Sequence, residues 1–403
     1  MSVPAGTLYS HRRRGTETAS FSYDNAYLAD PRGYPLDPAL PLVSGTLQAA
    51  GNQKIFGAFF DSCPDRWGQR LIERAESRRV AGGGTPRSFG QFDLLLRVRD
   101  DLRQGAIRFA VNDEFVADDT SGVPVMTDLP TLLSAADDVA NADTDDGRSL
   151  ALLLRAGSSL GGARPKAHVR DHNGRIAIAK FPSPSDSWNV MAWEATALDL
   201  AAKAQIAVPT HHLESIGGRN VLIVDRFDRI PSGLRRGYMS IMTALEASDG
   251  EVRSYVDIAE ALEERSSQVI RDLTELWRRI IFSILISNTD DHLRNHALLH
   301  VQAGTWTLSP AFDLNPNPAP GPKHLSTAID GDTLADVRNA LAVAPLFRLD
   351  ADQARDVLRQ VRNAVTHWRE VATHHGLNKS DLAAMAPAFE HAQAAVAEQL
   401  LAA

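Results

Sequence analysis

The chain has 403 residues with an ordinary globular composition, and its 42 basic against 50 acidic residues leave a formal net charge of −8, which argues against unaided binding to nucleic acid phosphates. The single cysteine, Cys63, excludes an internal disulfide framework and a cysteine-rich zinc module. No apolar run reaches the roughly 18–20 residues of a membrane span, and the basic run at residues 11–14 lacks the apolar segment of a signal peptide, so we expect a cytoplasmic protein without membrane contact.

Short strand-like runs and turn signals alternate in the first hundred residues. Residues 18–23 predict a strand, and the Asp-Pro-Arg-Gly sequence at residues 30–33 predicts a turn. A helix is expected from near Pro64, with arginines on one face, and a second helix over residues 89–99.

Between Arg108 and Arg148 the composition changes, because this interval is rich in Asp and contains neither Lys nor Arg. Such a charge bias is typical of a solvated segment. We therefore expect an acidic linker that contains one short helix over residues 129–141.

Strands and one long helix are expected from residue 150 to about residue 250. Asn173-Gly174 between two apolar runs predicts a hairpin, and Gly217-Gly218 predicts a second one. The predicted strands are residues 167–169, 175–181, 211–216 and 220–227, and the helix is residues 188–204.

After about residue 250 the chain is predicted to be helical, with a strongly apolar helix over residues 276–286 and one hairpin around residues 300–307. A β-rich block followed by an α-rich block indicates an α+β fold and not alternating βαβ units. The length alone predicts two to three domains at about 150 residues each.

A glycine-rich segment, GSSLGGARPK, occupies residues 157–166. Glycines allow the backbone to approach a phosphate and to point amide N–H groups at it. The segment matches neither the Walker A nor the G-x-G-x-x-G pattern. Taken alone, it is either a phosphate-binding loop or a flexible turn.

Lys180 stands at the end of a predicted strand, and Glu194 follows 14 residues later in the next helix. A lysine in this place is often an edge residue with its charge in water. Protein kinases, however, pair a strand lysine with an acid of the following helix to hold the α- and β-phosphates.

The most specific pattern is the loop Thr-Asp-Asp-His-Leu-Arg-Asn at residues 289–295, directly after the apolar helix. Asp290 and Asn295 have the D-x-x-x-x-N spacing of a kinase catalytic loop, although the preceding His-Arg is missing. Phe312-Asp313 follows 18 residues after Asn295 and offers a further hard oxygen ligand for Mg²⁺.

Two alternatives concern neighbouring side chains of this loop. His292, His296 and His300 are spaced by four residues and suggest a metal site, but no acidic ligand stands at a matching position. Asp291 is one residue out of register for the D-x4-N pattern and either caps the preceding helix or supports the loop from behind.

With these residues in view, the chain resembles the HipA family, the kinase toxins of HipA–HipB toxin–antitoxin systems, over nearly its whole length. Residues 159–166 are similar to the family loop S-x-x-G-A-x-x-K, residues 289–295 to T-D-x-H-x-x-N, and Phe312-Asp313 to its aromatic-Asp pair. Residues 59–65 are similar to the signature F-F-x-N-L-L-P-D, with Ser62-Cys63 as a departure.

The resemblance implies an α+β, divergent protein-kinase-like bilobal fold. It would comprise an extra N-terminal α/β subdomain (residues 1–112), the acidic linker and helix (113–150), a nucleotide-binding part like a kinase N-lobe (151–250) and an all-α C-lobe with the catalytic loop (251–403).

The resemblance also implies roles for individual residues. Asp290 would accept the proton of the attacking hydroxyl, and Asn295 and Asp313 would hold Mg²⁺. Ser159 matches a serine that family members autophosphorylate, and Ser158 beside it makes the phosphosite ambiguous. The residues expected to contact ATP are Gly161, Gly162, Ala163, Arg164, Pro165, Lys166, Lys180, Asp225, Arg226, Phe227, His292 and Phe312. Asp225 stands where the family has Glu.

These expectations together describe a serine/threonine protein kinase that uses ATP and Mg²⁺. It would be a toxin neutralised by a HipB-like helix-turn-helix antitoxin, which would supply the contact with operator DNA. A translation protein such as an aminoacyl-tRNA synthetase would be the substrate. One alternative is a small-molecule or lipid kinase of the same fold. The other is a catalytically weak co-repressor, but the intact catalytic residues argue against that one, namely Lys180, Asp290, Asn295 and Asp313.

Overall fold

The computed structural model describes residues 2–49, 53–117, 122–141, 147–157, 162, 164–230, 233–302 and 304–402. Its strands are β1 Gly6–Arg13, β2 Thr16–Tyr23, β3 Thr46–Gln48, β4 Ala110–Val111, β5 Glu114–Phe115, β6 Lys166–Arg170, β7 Ile176–Lys180, β8 His211–Ile216, β9 Arg219–Asp225, β10 Tyr238–Ser240, β11 Ala297–Gln302 and β12 Thr305–Leu308. Its helices are α1 Asn25–Ala29, α2 Gly57–Phe60, α3 Arg66–Ala81, α4 Gln91–Leu95, α5 Leu129–Ala140, α6 Arg148–Ala156, α7 Val190–Lys203, α8 Ile241–Ala244, α9 Tyr255–Arg265, α10 Val269–Leu285, α11 Val337–Val343, α12 Ala351–Thr366, α13 Trp368–His374, α14 Lys379–Phe389 and α15 Ala392–Ala402.

The chain divides into two compact units. The first unit comprises Met1–Pro184, Asp228–Glu246 and Leu299–Trp306, and the second comprises Ser185–Phe227, Ala247–Leu298 and Thr307–Ala403. The division of the chain into four segments along the sequence stays a prediction.

The first unit begins with an antiparallel sheet in the order β1-β2-β3. The predicted strand at residues 18–23 is confirmed as β2, whereas β1 was not predicted, because its mostly exposed, polar sequence carries little apolar alternation. Its pairing is set by the two-residue turn Arg14-Gly15, where both φ angles are positive, at 51° and 82°. Phe21 and Tyr23 of β2 pack into the core of this unit with Phe56 and Phe59.

Helix α3 begins where the sequence predicts, after Pro64, because the Asp65 carboxylate accepts a hydrogen bond from Gly68 N at 2.7 Å and caps the helix. The second predicted helix, residues 89–99, is too long, since α4 ends at Leu95. The guanidinium of Arg103 is buried and donates to the carbonyl oxygens of Leu95 and Val98, at 3.0 and 2.9 Å. These carbonyl oxygens therefore accept hydrogen bonds from the Arg103 side chain, and α4 is not continued by a further turn.

The predicted helix in the acidic segment is confirmed as α5, which has Pro130 in its first turn. Its leucines at 129, 132 and 133 are buried, and it packs against α6. This stretch therefore belongs to the core of the first unit and is not only a solvated linker.

Strands β6 and β7 form the predicted antiparallel hairpin, with Lys166 opposite Lys180 in the register. The turn is closed by Asp171, whose Oδ1 accepts hydrogen bonds from the backbone N–H groups of Asn173 and Arg175 at 2.9 and 2.8 Å. Lys180 is the last residue of β7.

The second unit contains the predicted β8–β9 hairpin around Gly217-Gly218 and is otherwise mainly helical. Helix α10 begins seven residues before the predicted start at residue 276, because its first turns mix charged residues with Val269, Ile270 and Leu273 and lack the dense apolar character of the predicted segment. Asp272 in this part is fully buried and accepts hydrogen bonds from Ser266 Oγ and Leu308 N at 2.7 and 2.9 Å. Within the described part of the chain, no helix combines the length and the apolar character that a membrane crossing requires.

Candidate active site

The loop with the D-x4-N pattern begins where helix α10 ends in the second unit. Ser287 turns the chain with a positive φ of 54°, and Asn288 N donates to Ser283 O at 2.8 Å, which closes the helix. The apolar half of α10 is fully buried, so the loop that follows stands on a rigid support.

Asp290 and Asn295 lie together in this loop. The backbone carbonyl of Asp290 accepts hydrogen bonds from His292 N at 3.0 Å and from Asn295 Nδ2 at 3.0 Å. A short 3₁₀ turn over Leu293–Asn295 returns the chain to Asp290. The Asp290 side chain is exposed. The bond from Nδ2 orients the Asn295 amide so that Oδ1 points away from the Asp290 carbonyl, where it can serve as a ligand.

Asp291, the next residue, is buried beneath the loop. Its carboxylate accepts hydrogen bonds from Tyr255 OH and, at 3.2 Å, from Ser283 Oγ, and its Oδ1 lies 3.0 Å from His296 Nε2. Burial alone would raise the pKa of Asp291, but the charge of His296 and these hydrogen bonds together hold the pKa below its ordinary value. Burial, and then the Asp291 charge, raise the pKa of Tyr255 well above its ordinary value. Of the two roles left open for Asp291, the structure favours support of the loop from behind.

The segment that carries Asp313 is attached to the same loop. Asp313 has a positive φ of 60°, and its Oδ1 and backbone oxygen accept from Asn315 Nδ2 at 3.4 and 3.2 Å. Asn315 N donates to Asn288 Oδ1 at 3.2 Å, and Asn317 Nδ2 donates to Thr289 Oγ1 at 2.9 Å. These asparagines were not predicted, although the alternation of Asn and Pro directly after Phe312-Asp313 was a usable signal.

Three of the residues expected to contact ATP, at positions 225–227, also lie in the second unit, at the end of β9. Asp225 N donates to Thr210 O at 2.8 Å, and Arg226 is buried. The rings of Phe227 and Phe312 lie 5.5 Å apart, centroid to centroid, at a tilt of 37°. The structure therefore brings Phe227 to the residue that precedes Asp313, as a shared nucleotide site requires.

The remaining predicted ATP contacts lie in the first unit. Lys180 is half-buried at the end of β7, Arg164 is half-buried, and Pro165 and Lys166 are buried. Ser158, Ser159, Gly161 and Ala163 lie outside the described residues. The Lys166 ammonium lies 2.8 Å from Asp65 Oδ2 in a buried ion pair. The prediction that Lys166 contacts ATP did not include this protein partner.

The three spaced histidines do not line one helix. His292 precedes the 3₁₀ turn, His296 faces Asp291, and His300 in β11 stacks on Tyr34 with ring centroids 3.8 Å apart. In the described ranges, no group of three or more His, Cys, Asp or Glu side chains could hold a metal ion. The predicted ligands Asn295 and Asp313 each offer a hard oxygen donor, the kind of ligand that Mg²⁺ takes beside water and phosphate oxygens.

Comparisons with known proteins show the family and the fold of this chain. The family model of the HipA-like C-terminal domain matches residues 158–368. A solved HipA chain, from the Shewanella oneidensis MR-1 toxin–antitoxin system of HipA and HipB with operator DNA, covers 99% of this chain and 94% of its own length with a TM-score of 0.66 and 18% identity. That match shows a shared fold and confirms the predicted α+β class.

Curated relatives point to the same group. Y4mE of Sinorhizobium fredii, named as a candidate kinase, is 27% identical over 322 residues, which are 73% of this chain and 71% of that protein. A Haemophilus influenzae protein, also named as a candidate kinase, is 24% identical over 178 residues, which are 39% of this chain and 52% of that protein.

Proposed function

The chain belongs to the HipA-like C-terminal domain family, and from this premise we propose that it is a protein kinase that transfers the γ-phosphoryl group of ATP to a serine or threonine hydroxyl. The observation that carries the proposal is the loop itself. Asp290 is exposed and hydrogen-bonded through its backbone to Asn295, while Asn288 connects this loop to the segment of Asp313.

In the proposed reaction, the Asp290 carboxylate accepts the proton of the substrate hydroxyl as its oxygen forms a bond to the γ-phosphorus and the bond to the ADP oxygen breaks. Asn295 Oδ1 and the Asp313 carboxylate would hold Mg²⁺, which when bound neutralises the charge on the phosphates. Lys180 and the backbone of residues 161–166 would contact the phosphates, while Asp225, Arg226, Phe227, His292 and Phe312 would surround the nucleoside.

We further propose that the protein is the toxin of a toxin–antitoxin pair in the cytoplasm. The similar HipA chain was solved with HipB and operator DNA, and the net charge of −8 is consistent with a helix-turn-helix partner that supplies the contact with DNA. The sequence resemblance makes a translation protein, such as an aminoacyl-tRNA synthetase, the proposed substrate.

Radiolabelled ATP incubated with the protein and a cell lysate tests the reaction class. The proposal predicts a labelled protein, a small-molecule or lipid kinase would label a small molecule or a lipid, and a catalytically weak co-repressor would give no label. Because general base catalysis contributes about 10²–10⁴-fold to rate, Asp290→Ala should lose about that factor. The control Asp330→Ala removes an exposed aspartate outside the loop and should keep wild-type turnover. Near wild-type turnover of Asp290→Ala would show that the assignment is wrong.

Binding of ATP provides an independent measurement of the metal ligands. Asn295→Ala and Asp313→Ala should lose the Mg²⁺-dependent part of ATP affinity in calorimetry, because each removes one of the proposed oxygen donors. Unchanged affinity with and without Mg²⁺ would contradict the assignment of these two residues.

We also propose that the protein phosphorylates its own Ser159. A phosphate there adds roughly −1.5 to −2 charge beside the site for the γ-phosphate, so repulsion should expel the loop and silence the enzyme. Ser159→Asp should therefore be weak or inactive, and Ser159→Ala should gain no phosphate on this loop. Mass spectrometry after incubation with Mg²⁺-ATP decides between the serines: phosphate on Ser158 alone would move the site by one residue, and phosphate on neither would exclude autoinhibition.

A further inference from the structure

The end of the glycine-rich loop meets the beginning of helix α3 within the first unit. Asp65 caps α3 with one carboxylate oxygen, which accepts from Gly68 N at 2.7 Å, and its other oxygen lies 2.8 Å from Lys166 Nζ. Both side chains are almost fully buried, at 3% and 4% exposure for Asp65 and Lys166. One carboxylate therefore connects the helix start to the loop.

Trp67, the second residue of α3, makes two further contacts with the loop. Its indole Nε1 donates to Lys166 O at 3.1 Å, and its backbone N–H donates to Gly162 O at 3.3 Å. The ring is itself buried. The helix start thus binds the backbone of the loop at two positions, residues 162 and 166.

The loop backbone is shaped to permit these contacts. Gly162 has a φ of +111°, and a Cβ atom there would lie 2.9 Å from Lys166 Nζ. Only glycine therefore allows residue 162 to lie beside the buried ammonium. At the other end, Phe181 N donates to Pro165 O at 2.9 Å, which ties the loop to the residue after β7.

A buried ion pair is a weak source of stability, because the loss of hydration of both charges offsets most of their attraction, and apolar residues of similar size often stabilise as well. Its geometry is specific, however, since the Lys166 ammonium must meet one carboxylate oxygen while the backbone carbonyl of the same residue meets the Trp67 indole. The arrangement is therefore suited to holding Gly162 and residues 164–166 in one position.

We infer that the start of helix α3 is the positioning element of the nucleotide loop, with Asp65, Trp67 and Lys166 as positioning residues. The inference rests on the proposed kinase function and changes one assignment within it. The Lys166 side chain acts through Asp65 and not as a phosphate ligand, so the phosphates would be met by the backbone of the loop and by Lys180. The N-terminal subdomain is accordingly part of the nucleotide-binding machinery.

The test uses variants that remove the contacts and keep the fold. Asp65→Asn/Lys166→Met removes both charges together, so no buried charge is left alone, and Asn retains the helix cap. Trp67→Phe removes the indole N–H together with part of the buried ring and keeps an aromatic side chain. The control Leu71→Ala truncates a fully buried residue one turn further along α3 and lowers stability without touching the loop.

Hydrogen exchange of the nucleotide-free full-length protein gives a readout that does not depend on activity. The amides of Gly162, Arg164 and residues 166–168 should exchange faster in the double variant than in the wild type, and should exchange in Leu71→Ala as in the wild type. Equal exchange in the wild type and in the folded double variant would overturn the inference.

Steady-state kinetics then separates positioning from general destabilisation. Because misplacement by about 1 Å can lower rates by about 10²-fold, the double variant should lose a factor of that order in kcat/KM for ATP, mostly in KM. Trp67→Phe should lose roughly tenfold or less, as expected for one hydrogen bond, and Leu71→Ala should keep the wild-type KM.

The possible failures are distinguishable. A wild-type protein that neither binds nor hydrolyses ATP would contradict the proposed function. The exchange result would still show whether Asp65, Trp67 and Lys166 hold the loop in place. A double variant with faster exchange and unchanged KM would show that the contacts of the α3 start stabilise the loop without affecting ATP binding, and would overturn the positioning role.

Discussion

Two neighbouring aspartates, Asp290 and Asp291, have different environments, and these environments suit one to the proposed catalysis and the other to structural support. Asp290 is exposed at the tip of the loop, whereas the Asp291 carboxylate is buried among Tyr255, Ser283 and His296. In the proposed reaction the first exchanges a proton with a substrate, whereas the second accepts hydrogen bonds from the hydroxyls of Tyr255 and Ser283 and lies 3.0 Å from His296 Nε2. Identical side chains in consecutive positions therefore have different tasks.

We predict that the two alanine variants of this pair have opposite effects. Asp291→Ala leaves buried polar partners without their acceptor and should lower the free energy of unfolding by about 3–5 kcal/mol. Asp290→Ala, at an exposed position, should change it by only about 0.5 kcal/mol while losing activity. Urea denaturation of both variants checks this, and a fully stable Asp291→Ala would show that the buried network contributes little.

At the scale of elements, a carboxylate joins three parts of the second unit. Asp199 of α7 lies 3.2 Å from Nε2 of His211, the first residue of β8, and 2.8 Å from Nε2 of His375, which follows α13. His211 Nδ1 also lies 3.0 Å from Pro209 O. Burial on its own would lower the pKa of His211, but the bonds to Asp199 and Pro209 outweigh it and the pKa is raised. Both ring nitrogens have acceptors, which favours the imidazolium.

This environment predicts a pH dependence of stability. A histidine with a raised folded-state pKa stabilises fully below its unfolded pKa of about 6.5 and loses that contribution as pH rises through the folded value. The free energy of unfolding should therefore fall in the wild type as the pH rises above about 6.5 and through the raised folded-state pKa of His211. Asp199→Asn should remove most of this slope and cost about 1–3 kcal/mol at pH 6.

Chemical denaturation at a series of pH values measures this slope. A matched control is Glu370→Gln, which breaks the exposed His367–Glu370 pair in the same unit and should alter neither slope nor stability. An Asp199→Asn protein with the wild-type slope would assign the pH dependence to other groups.

At the scale of the whole molecule, charge limits what the chain can bind alone. With a net charge of −8, the protein alone should bind duplex DNA no more tightly than about 10 µM at physiological salt, the range of non-specific contacts. Together with the proposed helix-turn-helix partner it should bind operator DNA specifically. Fluorescence anisotropy with and without the partner checks this, and tight binding by the isolated chain would contradict the proposed division of labour.

Local patterns in the sequence predicted both hairpins of the β-rich block and the loop with the D-x4-N pattern, whose catalytic role stays a prediction. Turn residues such as Asn173-Gly174 and Gly217-Gly218 act on neighbouring backbone bonds, so both hairpins followed from them. The D-x4-N spacing is equally local, and it placed Asp290 and Asn295 in one loop. The start of α10, which mixes charged and apolar residues, and the exposed strand β1 were missed, because both depend on partners elsewhere in the chain.

Only the tertiary structure decided which of these side chains are exposed and which are buried. Asp290 and Asp291 are indistinguishable by composition, and burial of the second follows from contact with Tyr255, 36 residues earlier. Lys166 finds Asp65 across 101 residues of sequence. Spacing determines hydrogen bonds between near neighbours, whereas burial and ion pairing arise between segments that only packing brings together. For this protein, the sequence by itself therefore determined the reactive groups, and the tertiary structure determined which of them serve to hold the others in place.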